Sequence, residues 1–537
     1  MRALRLLSLI LWVWGGMARA DLPQRLGWPQ QMSPGISGQF LLAPMEGVAF
    51  ADVNGDSRLE VVGSSGDRVW VWDLDGKVVS GWPQTVQGTA QMPAAVGDVD
   101  GDGDVELVQV ARGLKYSDAA YLHVFHHDGT ALTGWPVSIP NLVFHTVTLA
   151  DLDGDGGLDL VVQIGKWPPA GSITVLSRDG KALGAGWIDQ ALDGVPMSAA
   201  AVGDVTGDGQ LEVAHLTSGS LTLRRAPGDV VDGFPLKPQS GREWAGGVAL
   251  ADLGGASSGL DIIACDEDAS GNVRVVAFTA GGQALAGFPA VVGSGASAGV
   301  PSVGDLDGDG KLEIVVALAG QGLVVVSADG TVGQTIATLA DSTASVQLVD
   351  LDGDGKLELL ADNNSADPAD GRGYLEAYRA DGTAVPGFPL RPPGSTMKNA
   401  GAAADLDGDG ILELAVVTTD STKSPPESWV SLWSVPGSKA QVAAWPLFGH
   451  DGRRSGCAGS CASKSGKPWS ADAGPDTGPD IGLPDAGLDL GADGAKVGDG
   501  DGCGCALDRR PRGAAPVALL LLVALGLAQV RRRSRRP

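Results

Sequence analysis

The sequence predicts an all-β fold, a β-propeller of about eight four-stranded blades, from three observations on its 537 residues. First, a glycine-punctuated acidic loop, typified by Asp305-Leu306-Asp307-Gly308-Asp309-Gly310-Lys311-Leu312-Glu313, recurs along the chain. Second, the copies begin at Asp52, Asp98, Asp151, Asp204, Asp252, Asp305, Asp350 and Asp405, 45 to 55 residues apart. Self-similarity at that period marks solenoids, propellers or arrays. Third, each copy holds four short apolar runs separated by turn signals, the content of a propeller blade. Seven blades is the alternative if the degenerate fifth copy does not form a full one. A parallel β-helix fits less well, because its repeats are shorter and lack hairpin turns.

In chain order, residues 1–20 read as a secretory signal: Arg2 and Arg5, an apolar run from Leu6 to Trp14, then Ala18-Arg19-Ala20 as a small-x-small cleavage site. The mature chain is expected to begin at Asp21, outside the cytoplasm. The propeller is placed at 21–456 and nothing helical of useful length is expected between 27 and 456.

The sixth copy shows how one blade reads. Gly299-Val300-Pro301-Ser302-Val303-Gly304 leads into the acidic loop as the first strand, and Glu313-Ile314-Val315-Val316-Ala317 leaves it as the second. Leu323-Val324-Val325-Val326-Ser327 is the third, and Asp329-Gly330 turns the chain into a weaker fourth. In the loop, carboxylates fall at i, i+2, i+4 and i+8. Calcium takes six to eight oxygens, so a loop must fold several carboxylates onto one point, and glycines permit the tight turn. An EF-hand is excluded, because its bidentate acid at position twelve is here Gly63, Gln109, Val162 or Val316, and a strand follows instead of a helix.

Other copies close on Gly-aromatic-Pro: Gly81-Trp82-Pro83, Gly134-Trp135-Pro136, Gly233-Phe234-Pro235, Gly287-Phe288-Pro289 and Gly387-Phe388-Pro389, with Gly27-Trp28-Pro29 before them and Ala444-Trp445-Pro446 after. These aromatics read as core between blades, with carbohydrate stacking the alternative.

At these residues the chain resembles the FG-GAP/VCBS family of calcium-binding propeller repeats, also seen in integrin α-chain propellers. The resemblance covers about 27–456, including Trp445-Pro446-Leu447-Phe448-Gly449-His450-Asp451 and Arg453-Arg454-Ser455-Gly456 at its close. It implies Ca2+ ligands at i, i+2, i+4 and i+8 plus the carbonyl at i+6, in about seven sites. Those sets are Asp52, Asn54, Asp56, Glu60; Asp98, Asp100, Asp102, Glu106; Asp151, Asp153, Asp155, Asp159; Asp204, Thr206, Asp208, Glu212; Asp305, Asp307, Asp309, Glu313; Asp350, Asp352, Asp354, Glu358; and Asp405, Asp407, Asp409, Glu413. Thr206 replaces a carboxylate, so that site is expected to be weaker. Asp252-Leu253-Gly254-Gly255-Ala256 lacks the i+2 and i+4 ligands, and no calcium is expected there.

Beyond the propeller, 457–513 is rich in Asp, Gly and Pro and reads as a disordered spacer ending near Cys503-Gly504-Cys505. Residues 514–530 reach the lower limit for a transmembrane helix, and 531–537 form a basic tail expected on the cytoplasmic side. The three-part ending resembles the C-terminal sorting signal of myxobacterial surface proteins, which implies processing and retention at the cell surface. A plain membrane anchor is the alternative. Cys457 and Cys461 are spaced to pair in an oxidising compartment, and Cys265 reads as a buried thiol.

The formal charge of −26 and the absence of a basic patch before the tail exclude nucleic acid as a partner. No strand-to-helix nucleophile elbow, metalloprotease helix or phosphate loop is read in the sequence. His123, His126 and His127 cluster on a strand, read as an exposed strand face with a transition-metal pair as the alternative. The expected function is a cell-surface-anchored binding or adhesion module for an extracellular glycan or protein. A lyase-like, polysaccharide-active enzyme and a structural surface component are the alternatives. Recognition is expected on the second-to-third strand connections, which differ between copies. Those of copies 2, 3, 7 and 8 read as long, with Tyr116 and Trp167 as aromatic anchors.

Overall fold

The computed structural model describes residues 22–32 and 47–445, apart from 114–117, 144, 167–169, 189, 256–258, 295–296, 340–344, 363–365, 368, 397–400, 424–425 and 441–442. The signal sequence, spacer, apolar C-terminal run, Tyr116, Trp167 and Cys457, Cys461, Cys503 and Cys505 lie outside the described residues. Among the described residues no helix is long and apolar enough to cross a membrane. The one helical turn described is a 3-10 turn at Ala185–Trp187.

Eight antiparallel sheets follow one another around a ring. The sixth is typical: Ser302–Gly304, Glu313–Leu318, Gly322–Ser327 and Val332–Ile336 pair in chain order. Its second strand is almost wholly buried, because neighbouring blades cover both faces of the sheet. This is why these strands read as continuous apolar runs instead of alternating ones. Inner strands of adjacent blades meet around the axis, and buried polar groups join them, as where Ser302 Oγ lies 2.9 Å from Ser345 Oγ.

The fifth copy, despite its degenerate loop, builds a complete blade from Arg242–Ala251, Asp261–Asp268, Val273–Phe278 and Ala290–Gly293. Its buried Asp266 accepts from Arg242 Nε at 2.7 Å and Arg274 Nε at 2.9 Å. The blade number is therefore eight.

Two elements fall where the sequence did not place them. The eighth blade, Ala402–Ala404, Glu413–Asp420 and Glu427–Ser434, takes its outer strand from the chain's beginning, with Gln30–Met32 pairing to Ser428, Trp429 and Val430. Phe50, Val61 and Trp72 of the first blade then share one core with Ala415, Val430 and Leu432 of the eighth, and the ring closes. With that outer position filled, Ala443–Trp445 pairs instead with the inner strand of the seventh blade, through Leu348↔Trp445 and Val349↔Ala443. Trp445 is thus not equivalent to the other blade-closing aromatics.

Those others are inter-blade core, as expected. Trp28, Trp82 and Trp135 are buried, and each donates its indole N–H to a carbonyl in the next blade's turn: Leu74 at 2.9 Å, His127 at 3.1 Å and Arg178 at 2.9 Å. The preceding glycine is required by position. Gly81 has φ +89°, and a Cβ there would sit 2.0 Å from the carbonyl oxygen of Asp128. Trp187 takes the same packing position in the third blade without a following proline, although its buried indole N–H has no partner among the described residues. It is 1% exposed, and a Cβ on Gly186 would lie 1.8 Å from the Pro227 oxygen.

Candidate metal centres

Each acidic loop joins the inner strand of a blade to its second strand. The first aspartate ties the loop: in the sixth blade Asp305 Oδ1 accepts from Gly308 N at 2.8 Å and Oδ2 from Gly310 N at 2.9 Å. The same pair of bonds recurs at Asp98, Asp151, Asp350 and Asp405. Gly308 and Gly310 have φ of +77° and +83°, the left-handed region that glycine enters without steric cost. In the first blade the second of these positions is Ser57, held at φ +67° by its N–H bond to Asp52 Oδ2 at 2.8 Å.

The acid at i+8 begins the second strand and folds back to accept from the N–H at i+1. Glu60, Glu106, Asp159, Glu212, Glu313, Glu358 and Glu413 all do so, at 2.7 to 3.1 Å. One oxygen of this acid is thereby committed to the backbone, and the other faces the loop. Carboxylate atoms of Asp98, Asp100 and Glu106 lie within 4.8 Å of one another, as do those of Asp151, Asp153 and Asp159, of Asp305, Asp307 and Glu313, and of Asp350, Asp352 and Glu358.

Burial, with neighbouring carboxylates adding to it, pushes Glu60, Glu106, Asp159 and Glu358 up to about 7. Burial likewise raises Glu212, Glu313 and Glu413. A converged set of hard oxygen donors, mutually repelling and ranging from buried to exposed, fits a divalent cation of the calcium class. Glu60, Glu106 and Glu358 would hold it from the strand side, and Asp52, Asp98 and Asp350 from the loop side.

The loops are not equal. In the fourth, Thr206 Oγ1 donates to Glu212 Oε1 at 3.0 Å, so the acid is satisfied internally. In the first, Asn54 turns its Nδ2 to Glu60 Oε1 at 2.8 Å while its Oδ1 accepts from Asp56 N at 2.9 Å. In the second, His126 Nδ1 stands 3.2 Å from Glu106 Oε1. In the seventh, Arg379 pairs with Asp352. The eighth receives Arg25, through Asp407 and Glu413. In the fifth, Asp252 Oδ1 accepts from Gly255 N at 2.7 Å and Asp261 Oδ2 from Leu253 N at 3.1 Å. The turn thus persists with glycine at positions 254 and 255, and the loop's structural bonds are separable from its cation donors.

His123 differs from expectation. It is buried, stacked on Phe125, and its Nε2 accepts from Gln87 N at 3.0 Å; burial lowers it to about 4. It is a neutral core acceptor. Burial also raises the Cys265 thiol, which leaves it unreactive, as expected.

Turn residues that touch the acids, such as His126, Arg178 and Arg379, place the third-to-fourth turns on the loops' face of the ring. The second-to-third connections occupy the opposite face and vary: 66–67 in the first blade, 113–119 in the second, 319–321 in the sixth, 363–374 in the seventh and 421–426 in the eighth. The third is shorter than expected, because strand pairing runs out to Lys166↔Ala170 and leaves only 167–169. The seventh is braced by a cluster the sequence did not reveal. Tyr374 OH donates to Asp367 Oδ2 at 2.8 Å, Arg391 pairs with Asp370 at 2.8 Å, and the Arg391 guanidinium lies 4.2 Å from the Tyr374 ring centre.

Residues 52–109 match the profile of an FG-GAP-like repeat. No curated protein matches the chain in sequence. Among solved structures it is similar to the V. cholerae biofilm matrix protein Bap1, with TM-score 0.55, 14% identity and coverage of 83% of this chain and 97% of that one. It is also similar to the BP39L lectin from Burkholderia pseudomallei, with TM-score 0.42, 13% identity and coverage of 65% and 98%. The likeness to Bap1 is one of fold. The chain is an eight-bladed β-propeller that carries an FG-GAP-like repeat across its first and second blades.

Proposed function

We propose that this chain is an exported, calcium-stabilised binding module that engages a glycan or protein at the bacterial cell surface. The observation that carries the reading is the contrast between the two faces of the ring. One face repeats the same acidic loop from blade to blade, as a scaffold requires. The other presents connections that differ in length and chemistry on a rigid support, where recognition residues concentrate. The cation supplies positive charge to buried carboxylates; the chain's residues orient the donors and fix each inner strand to its second strand. Fold likeness to a biofilm matrix protein is compatible with work outside the cell. Tethering through the C-terminal run, as a membrane helix or its processed form, belongs to the same reading.

The test is a glycan and protein binding screen on the purified propeller, run beside an assay for polysaccharide cleavage. Connections 113–119, 363–374 and 421–426 are then shortened to the length of 319–321. Binding that disappears while calcium content and melting temperature hold supports the reading. Binding that survives places recognition elsewhere, and cleavage would make the chain an enzyme.

A further inference from the structure

The eighth blade is the one whose outer strand is not joined to its third strand by a turn. In six other blades the residue that opens the outer strand by bonding back to the third is aliphatic: Val79, Leu132, Leu183, Val231, Leu285 and Val385. In the eighth, the same backbone bond, to the Leu432 carbonyl at 3.0 Å, is made by Arg25. A charged side chain therefore stands where the repeat otherwise places an apolar one, and it turns toward its own blade's acidic loop.

Arg25 Nη1 lies 2.6 Å from Glu413 Oε1 and 3.0 Å from Asp407 Oδ2, and Nη2 lies 3.0 Å from the same Asp407 oxygen. The Glu413 side chain is 1% exposed. Its Oε1 also accepts from Ser434 Oγ at 3.1 Å, and its Oε2 from Leu406 N at 3.1 Å. The i+2 and i+8 acids are thus both engaged by one planar, permanently charged group whose fork matches carboxylate geometry. A calcium ion needs six to eight oxygens and would have to expel the guanidinium to obtain these two.

We infer that Arg25 is the resident cation of the eighth loop, neutralising it in place of calcium and latching the first strand of the chain to the last blade. The inference rests on the calcium reading of the other loops. In this blade the charge that settles the loop is delivered by the same segment that closes the ring, so closure and neutralisation are one event.

The test counts calcium bound per chain by elemental analysis after gel filtration in saturating calcium. Wild type is compared with Arg25→Leu, which restores the residue type of the other blades, and with Asp405→Asn and Asp305→Asn. Arg25→Leu should gain one calcium, Asp305→Asn should lose one, and Asp405→Asn should lose none. In chelator, Arg25→Leu should melt below wild type, and calcium should narrow that gap. If Arg25→Leu fails to fold, Asp405→Asn alone decides, since loss of one calcium there shows that the wild-type loop holds metal. An unchanged count in Arg25→Leu overturns the inference while leaving the calcium reading intact. A wild-type chain that binds no calcium at any loop overturns both.

Discussion

Replacing Gly287 by alanine should destabilise the ring more than the same change at Gly241, and the difference isolates the inter-blade contact. Both glycines lie in the left-handed region, at φ +89° and +81°. An L-residue there costs about 1–2 kcal/mol, and this term is common to both. Around Gly241 an added Cβ meets nothing within 4 Å, so the conformational term is the whole cost. At Gly287 the Cβ would fall 1.8 Å from the Asp329 carbonyl oxygen and 2.7 Å from its carbon. Both are backbone atoms in the next blade's turn, so relief requires moving that turn and the buried Phe288 beside it. Overpacking of this kind costs about 1–3 kcal/mol, which is the predicted excess of Gly287→Ala over Gly241→Ala. The assay is the urea midpoint and slope of each variant in saturating calcium, with the slope checking that the same surface is exposed. Equal midpoints would refute the claim that turn and glycine hold adjacent blades together.

Calcium removal should lower the melting temperature reversibly, because two carboxylates ~5 Å apart repel by about 3 kcal/mol at an effective dielectric near 20 and each full loop gathers several. An unchanged melting curve after verified chelation would contradict this. The pH dependence follows from Glu60, Glu106, Asp159 and Glu358, which burial raises to about 7 in the fold from ordinary values of 4.5 for Glu and 3.8 for Asp. The folded state then binds the extra protons, so the metal-free propeller should lose stability as pH rises from about 5 to 7.5, and calcium should flatten the trend; melts at graded pH check it. Ser57→Gly should raise the melting temperature, gaining about 0.5–1 kcal/mol, because Ser57 holds a conformation that glycine adopts freely.

The repeat was legible because one chemical requirement recurs in seven of the eight copies, and repetition separates a binding loop from a chance cluster of acids. Strand content and blade-closing aromatics were legible for the same reason. What stayed hidden is local to one place or made by distant partners. Gln30–Met32 is a three-residue strand whose partners lie some four hundred positions later, so no local pattern announces the closure. Trp187 escaped because the proline that marks its counterparts is missing, although the spacing alone would have found it. Arg25, His126 and Arg379 reach the acidic loops from other segments of the chain, and the loop sequence carries no trace of them. His123 was read as exposed because it alternates with neighbours on a strand, a pattern that fails where blades cover both faces of the sheet.

The strand at Ala443–Trp445 also has a mechanical meaning. It lies against the inner edge of the seventh blade, antiparallel to Gln347–Val349, and so runs from the acidic-loop face toward the face of the variable connections. Any pull on the chain beyond Trp445 would be received along this axial strand, loading its hydrogen bonds in shear together and not opening them one at a time. Tension from an attachment there would enter the ring at its centre, where inner strands of neighbouring blades meet and share it. A module held in this way resists being peeled apart from one edge.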